Sequence, residues 1–140
     1  LSAAAERGRA MAPPDSPETL VYREAVKVME KRVGEWPCVE EIARACHVSA
    51  SYLKNIFRKY AGLGVHQYFL KTKIIRASRM LKEGKSVADT ASALAFSSPN
   101  YFSIVYKRET GVTPTEYRKS GLLKMNAQEA EVHVHKEGTD

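Results

Sequence analysis

Two segments of the chain carry small, amide and basic side chains at spacings that would place them on one face of a helix. Neither segment pairs a nucleophile with a base, so the available chemistry is hydrogen bonding and charge rather than bond breaking. Asparagine can pair with an adenine edge, lysine commonly contacts guanine, and basic side chains meet phosphates. The candidate residues are Ser49, Ala50, Ser51, Lys54, Asn55 and Arg58 in the first segment, and Ser98, Pro99, Asn100, Ser103, Ile104, Lys107 and Arg108 in the second.

Some of these positions allow two interpretations. Ile104 could contact a thymine methyl group, or it could be half-buried against its own domain. Tyr52 and Tyr101 occupy matching positions near the starts of the two segments. Each could donate its hydroxyl to a phosphate or pack against the preceding helix. The basic faces could also be ordinary solvated helix surface, but their occurrence in two aligned segments favours nucleic-acid binding.

No other part of the sequence carries a recognisable catalytic, cofactor or metal site, so we expect a protein that is not an enzyme. Cys46 is predicted to be a small core residue, and Cys38 is the candidate for an exposed thiol. The spacing of these two cysteines, with His47 adjacent, matches no zinc pattern. His133 and His135 could share a metal on a strand, although an unstructured tail or a packing strand is the commoner explanation.

The positive charge lies in the middle of the chain. The 140 residues carry a net charge of +6 and are 44% hydrophobic, enough for one ordinary domain. Residues 16–120 hold 18 of the 22 basic residues and 10 of the 16 acidic ones. A basic middle indicates an anionic partner, which could be nucleic acid, a membrane surface or an acidic protein.

The sequence indicates a cytoplasmic location. It has two cysteines, too few for a disulfide scaffold, and no apolar run approaches the roughly 18–20 residues of a membrane span. No segment reads as a secretory signal. The chain starts with Leu rather than Met, which indicates a processed chain or a piece of a longer protein.

Capping residues and apolar stripes predict seven helices, so the fold class is all-α. The predicted helices start at or after Ser16, Val39, Ser49, Val65, Ser86, Ser98 and Thr113. Gly34 is predicted to end the first helix, and "EVHVH" near the end is the only candidate strand. The predicted inward residues are Val21, Ala25, Val28, Met29, Ile42, Ala43, Cys46, Leu53, Ile56, Phe57, Tyr60, Leu70, Ile74, Ala77, Leu81, Val87, Ala91, Leu94, Phe102, Val105 and Tyr106.

The chain contains an internal repeat. "VEEIARACHVSASYLKNIFRKYAG" and "VADTASALAFSSPNYFSIVYKRETG" are predicted to align without a gap at a period of 48 residues, Val39 to Val87. A short helix, a tight turn and a second helix form a helix-turn-helix, whose second helix suits a DNA major groove. The connecting helix, 65–83, would be about 28 Å long. That length suits two successive grooves roughly 34 Å apart.

The predicted organisation follows from this repeat. The expected segments are a linker or tail at 1–15, a first helix-turn-helix subdomain at 16–64, a connecting helix at 65–84, a second helix-turn-helix subdomain at 85–120 and an acidic C-terminal tail at 121–140.

Over about residues 16–118 the sequence resembles the DNA-binding domain of the AraC/XylS family of bacterial transcription regulators. The matching residues are Phe96-Ser97, Tyr101-Phe102, Tyr106-Lys107, Gly111, Thr113-Pro114 and Tyr117-Arg118. The first half fits the family's degenerate first unit. Four positions depart from the family pattern: Lys73 and Ile104, where the family often has Arg, Thr90, where it has a large aliphatic residue, and Ala95, where it usually has Gly.

The resemblance implies a homeodomain-like fold and sequence-specific binding of double-stranded DNA. Recognition helices at about 50–60 and 98–110 would lie in adjacent major grooves. It further implies a cytoplasmic, nucleoid-associated activator that contacts RNA polymerase and forms a homodimer through a separate N-terminal domain. The alternative is a basic helical module that binds proteins or a membrane surface without reading DNA sequence.

Overall fold

The computed structural model describes residues 16–120, and within that range the chain is all-α with seven helices and no strand. The predicted fold class is therefore confirmed. The predicted linker, the acidic tail and the candidate strand lie outside the described residues. The helices are α1 (Pro17–Lys31), α2 (Val39–Ala45), α3 (Ala50–Tyr60), α4 (Val65–Lys82), α5 (Val87–Ala93) and α6 (Pro99–Thr110), followed by α7 (114–120).

Serine caps fix where four of these helices begin. The Oγ atoms of Ser16, Ser49, Ser86 and Ser98 each accept a hydrogen bond from the backbone N–H three residues later, at 3.0–3.2 Å. Each bond satisfies one of the N–H groups that a helix start leaves unpaired. The predicted starts of α1, α3, α5 and α6 are confirmed.

Local backbone geometry and hydrogen bonds fix where α1 stops and where α7 starts. α1 ends at Lys31, before Gly34, because Arg32 already leaves helical geometry at φ −105° and ψ 29°. The prediction that Gly34 ends this helix was therefore wrong.

Reciprocal hydrogen bonds cap the start of α7. Thr113 Oγ1 accepts a hydrogen bond from Glu116 N at 3.0 Å, and Glu116 Oε1 accepts one from Thr113 N at 2.9 Å. The bond from Thr113 N holds the pKa of Glu116 below its usual value.

The chain divides into two compact units within α4, between Lys73 and Ile74. Unit 1 comprises α1, α2, α3 and the part of α4 up to Lys73. Unit 2 comprises the rest of α4 with α5, α6 and α7. Each unit contains one helix-turn-helix, formed by α2 and α3 in unit 1 and by α5 and α6 in unit 2.

Unit 1 has an aromatic core. Phe57 is fully buried, and its ring centroid lies 4.9 Å from that of Tyr22 and 5.2 Å from that of Tyr68. In α4 the buried aromatic residue is Phe69, whereas Leu70, which the sequence stripe favoured, is only partly buried. The buried members of this core are Ala25, Met29, Ile42, Ala43, Cys46, Leu53, Phe57, Val65 and Phe69.

A lysine, rather than an apolar residue, completes unit 1. Lys73 is 0% exposed, and its Nζ donates at 2.6 Å to the carbonyl oxygens of both Val33 and Glu35. The same Nζ lies 4.2 Å from the ring centroid of Trp36 and 4.9 Å from that of Phe69. Burial lowers the pKa of Lys73 to about 8, so it stays charged at neutral pH. These contacts compensate in part for the loss of water around the ammonium group and tie α4 to the loop after α1.

Unit 2 buries hydroxyl groups instead of a charge. Tyr106 is 0% exposed, and its hydroxyl lies 2.6 Å from the Oγ of Ser78. Burial raises the pKa of Tyr106. Thr90, also 0% exposed, donates its hydroxyl to the carbonyl of Ser86 at 2.8 Å. The predicted inward residues Ala91, Leu94, Phe102, Val105 and Tyr106 are all buried.

Arg118 ties α7 to the end of α4 within unit 2. Its Nε donates to the carbonyl of Lys85 at 2.9 Å, and its Nη2 donates to the carbonyl of Gly84 at 3.1 Å. These two carbonyls belong to residues just after the end of α4, so they have no hydrogen-bond partner within that helix. Arg118 is thus a positioning residue for α7.

Candidate nucleic-acid interface

The turns that connect the two helices of each helix-turn-helix begin with the same backbone conformation. His47 in unit 1 has φ 60° and Ala95 in unit 2 has φ 63°. The next residue in each turn, Val48 or Phe96, donates its N–H to the carbonyl five residues earlier at 3.0 Å. This is a Schellman motif, in which one left-handed residue ends a helix and redirects the chain. It sets the direction in which the chain leaves α2 and α5.

The two turns nevertheless differ in length by one residue. α2 and α5 begin 48 positions apart, at Val39 and Val87, but α3 and α6 begin 49 positions apart, at Ala50 and Pro99. The predicted gapless alignment was therefore wrong beyond the turn, because it matched letters across an extra turn residue. The equivalent outer positions of α3 and α6 are Ala50 and Pro99, Ser51 and Asn100, Lys54 and Ser103, Asn55 and Ile104, and Arg58 and Lys107.

Every candidate site residue lies away from the buried face of its helix. Those classed as exposed are Ser49, Ser51, Lys54, Asn55, Arg58, Pro99, Asn100, Ile104, Lys107 and Arg108, and those partly buried are Ala50, Ser98 and Ser103. Ile104 is 58% exposed and is not part of the core. The residues form one surface per unit, which we call the α3 face and the α6 face.

The side chains on these faces differ in how firmly the protein already holds them. The hydroxyl oxygens of Ser49 and Ser98 already accept hydrogen bonds from the backbone as helix caps. Within residues 16–120, Asn55, Arg58 and Asn100 make no hydrogen bond or ion pair through their side chains. Their donors and acceptors are therefore available to a ligand.

Two basic residues of α3 and α6 are tied to acidic neighbours. Lys59 Nζ lies 3.0 Å from a carboxylate oxygen of Glu18, which also accepts the Tyr60 hydroxyl at 2.5 Å. The bond to Glu18 raises the pKa of Lys59. Arg108 Nε lies 3.3 Å from a carboxylate oxygen of Glu109. Lys59 thus attaches the end of α3 to the start of α1, a role that its place in a basic run did not indicate.

The matching tyrosines lie at the edges of the faces. Tyr52 is 36% exposed and Tyr101 is 51% exposed. The ring of Tyr101 lies 6.2 Å from that of Phe96, a residue of the preceding turn. Tyr101 therefore packs partly on its own unit while half of its side-chain surface stays accessible.

Other kinds of site have little support in the described part of the chain. Residues 16–120 contain no group of three or more histidine, cysteine or acidic side chains placed to hold a metal ion. Among the same residues, no helix combines the length and apolar character needed to cross a membrane. Cys46 is buried, which raises the pKa of its thiol, and Cys38 is exposed.

Comparison with known proteins gives consistent matches. A family model described as a helix-turn-helix domain matches residues 42–120. The Msm operon regulatory protein of Streptococcus mutans is 32% identical over 94 residues, which are 66% of this chain and 34% of that protein. The HTH-type transcriptional activator RhaR of Escherichia coli K12 is 27% identical over 107 residues, 76% of this chain and 38% of that protein. The chain thus spans about a third of the length of these relatives.

Solved structures share the fold. An AraC-type transcriptional regulator from Chromobacterium violaceum superposes with a TM-score of 0.70 and 31% identity, over 73% of this chain and 92% of that one. The DNA-binding domain of AdpA, solved in complex with a target DNA, superposes with a TM-score of 0.68 and 24% identity. That match covers 74% of this chain and 94% of the AdpA chain.

Proposed function

Because the chain belongs to the AraC/XylS family of transcription regulators and carries its helix-turn-helix DNA-binding domain, we propose that α3 and α6 are its recognition helices. Each would place its outer face in a major groove of double-stranded DNA, in adjacent grooves. The protein would act by equilibrium binding rather than by turnover of a substrate.

One observation carries this proposal. The α3 face and the α6 face both carry amide and basic side chains that the described residues leave without partners, among them Asn55, Arg58 and Asn100. A helix that only covers a core has no need of such residues on its outer face, yet both units carry them there, and Arg58 and Lys107 stand at equivalent positions. A helix that lies in a major groove uses amides for base edges and basic groups for phosphates.

Some of these residues would contact phosphates, and others would contact base edges. Arg58, Lys107 and the backbone N–H groups at the starts of α3 and α6 would contact phosphates and fix register. Asn55 and Asn100 would pair with adenine, and Lys54 would contact guanine. The hydroxyls of Tyr52 and Tyr101 could add phosphate contacts.

The remaining parts of the proposal come from the family. As an activator in the bacterial cytoplasm, it would contact RNA polymerase and would dimerise through a domain outside this chain. These features rest on the family alone, since the chain spans about a third of its curated relatives.

The test is a selection of bound duplexes from a random pool at physiological salt, using the purified 140-residue chain. We expect enrichment of a motif in two blocks about one helical turn apart. The enriched duplex should bind roughly 10³-fold or more tightly than random DNA. Enrichment of a single block would mean that one unit reads bases and the other only grips the backbone.

Amide variants then test the assignment of the faces. Asn55→Ala or Asn100→Ala should relax specificity at one base pair, whereas Gln67→Ala, an exposed amide on α4, should change nothing. Equal weakening of all duplexes by the asparagine changes would show that the face assignment is wrong. Salt-sensitive binding without sequence preference would instead support the protein-binding or membrane-surface alternative.

A further inference from the structure

The α6 face lacks charge over its first two turns. No acidic or basic residue lies between Pro99 and Tyr106, whereas α3 carries Lys54 at the position equivalent to Ser103. Arg108 lies near the C-terminal end of α6 and is already paired with Glu109. The first half of α6 therefore has no charged side chain of the kind that reads guanine.

An isoleucine stands where α3 has an asparagine. Ile104 is 58% exposed, while the adjacent Val105 is 1% exposed and completes the core. A single exposed apolar residue is ordinary on a protein surface. Ile104, however, lies in the middle of the α6 face, where it would meet base edges. The apolar group that the major groove presents is the 5-methyl of thymine.

Asn100 lies one helical turn before Ile104 on the same face. It is exposed, and its amide makes no hydrogen bond within residues 16–120. Four residues advance about 6 Å along a helix, and stacked base pairs are about 3.4 Å apart. The two side chains can therefore reach base pairs one or two steps apart. An asparagine amide pairs with adenine, so both positions favour A·T pairs.

We propose that unit 2 recognises a short A·T block, with Ile104 packed against a thymine 5-methyl group and Asn100 paired with an adenine. This inference rests on the proposed function and narrows it to a base class for one unit. Unit 1, with Lys54, Asn55 and Arg58, would read a block that is not restricted in this way.

The test removes the methyl group while leaving base pairing intact. In the enriched duplex, the block of unit 2 is the one where Asn100→Ala relaxes specificity. Each thymine in that block is replaced in turn by deoxyuridine. We expect one replacement to lower the affinity of the unmodified protein about fourfold, the ratio that corresponds to burial of one methyl group.

Variants locate the effect on one side chain. Ile104→Ala should bind the thymine duplex several-fold more weakly and should no longer distinguish thymine from deoxyuridine. Ile75→Ala removes another exposed isoleucine, 64% exposed on α4, and should keep both the affinity and the discrimination. Circular dichroism would confirm that both variants remain folded, as expected for exposed positions.

The outcomes separate this inference from the proposed function. If the pool yields an enriched duplex but no deoxyuridine replacement alters binding, the methyl contact is rejected and sequence-specific binding stands. If Ile104→Ala still discriminates thymine from deoxyuridine, a different residue contacts the methyl and the inference is overturned. If no duplex is enriched, the proposed function fails, and this inference fails with it.

Discussion

Unit 1 and unit 2 end the first helix of each helix-turn-helix with the same left-handed residue, but they differ in the chemistry of the α3 and α6 faces and in the polar groups of their cores. His47 and Ala95 adopt the same left-handed conformation, and the same backbone bonds surround them. The α3 face carries Lys54 where the α6 face carries Ser103. What the units share is the backbone conformation that ends α2 and α5. What differs is the length of the turn that follows and the surface that would contact a ligand.

The cores differ as well. Unit 1 buries the ammonium group of Lys73 against two carbonyls, whereas unit 2 buries the hydroxyl of Tyr106 against Ser78. A buried charge loses more solvation than a buried hydroxyl and makes stronger hydrogen bonds in return. The two units should therefore respond differently to loss of their buried polar group.

Removal of the buried ammonium should give the largest effect. Lys73→Met leaves the carbonyls of Val33 and Glu35 without their donor, so we expect the free energy of unfolding to fall by about 2–3 kcal/mol. Tyr106→Phe in unit 2 should cost about 1 kcal/mol. Urea denaturation followed by circular dichroism measures both, with exposed Lys27→Met as the control. Equal losses for Lys73→Met and Tyr106→Phe would remove this distinction between the units.

The same lysine should make stability depend on pH. Its folded-state pKa, about 8, lies below the ordinary 10.5. Between these values the unfolded chain binds more protons, so the contribution of Lys73 to stability rises with pH in that window and is flat below it. We expect the stability difference between the unmodified protein and Lys73→Met to widen by about 2 kcal/mol from pH 7 to pH 10.

Because both proteins carry the same tyrosines and other lysines, the contributions of those groups cancel in the difference. A difference that stays constant with pH would show that Lys73 keeps its ordinary pKa. A difference that stays flat to pH 10 and narrows only above about pH 10.5 would mean that its two carbonyl partners favour the charged form more strongly than burial opposes it.

Loss of one basic group from either face should have the next largest effect. Arg58 and Lys107 occupy equivalent positions on α3 and α6. Replacement of either residue by alanine should weaken binding to all duplexes alike by about fivefold at physiological salt. Each should also lower the slope of log affinity against log salt by about 0.9. Lys27→Ala, on α1, is the matched control. A response to only one of the two changes would show that the units dock differently.

The smallest effect should come from the left-handed residues that end α2 and α5. Ala95→Gly removes a Cβ from a left-handed residue, and we expect a gain of about 0.5 kcal/mol in the free energy of unfolding, after the greater chain entropy of glycine is subtracted. His47→Gly should gain less, because histidine tolerates this conformation better than alanine. Gly84→Ala, at φ 97° after α4, should destabilise. Thermal unfolding of the three variants measures these differences, and a loss on Ala95→Gly would contradict the strain argument.

Features that depend on neighbouring residues could be predicted from the sequence. The serine caps and the Thr113–Glu116 pair involve groups three residues apart, and the predictions at these positions are confirmed. The apolar stripes identified most of the buried residues, because burial on a helix follows its period. The roles of the site residues remain predictions.

Features that depend on distant residues could not be predicted. Lys73 reaches carbonyls about 40 positions earlier, and no local pattern links them. The extra residue in the second turn was missed because the apolar letters on either side still align at a period of 48. Helix phase would have revealed it, since that period pairs buried Leu53 with exposed Tyr101.

The contacts of Trp36 also have a spectroscopic consequence. Trp36 is the only tryptophan in the sequence, and its ring stacks on that of His66 at 5.2 Å and lies 4.2 Å from the Lys73 ammonium. Tryptophan emission excited at long wavelength therefore comes from unit 1 alone, while unit 2 is silent. Unfolding of unit 1 can be followed by fluorescence without any label, and comparison with circular dichroism would reveal whether the two units unfold together.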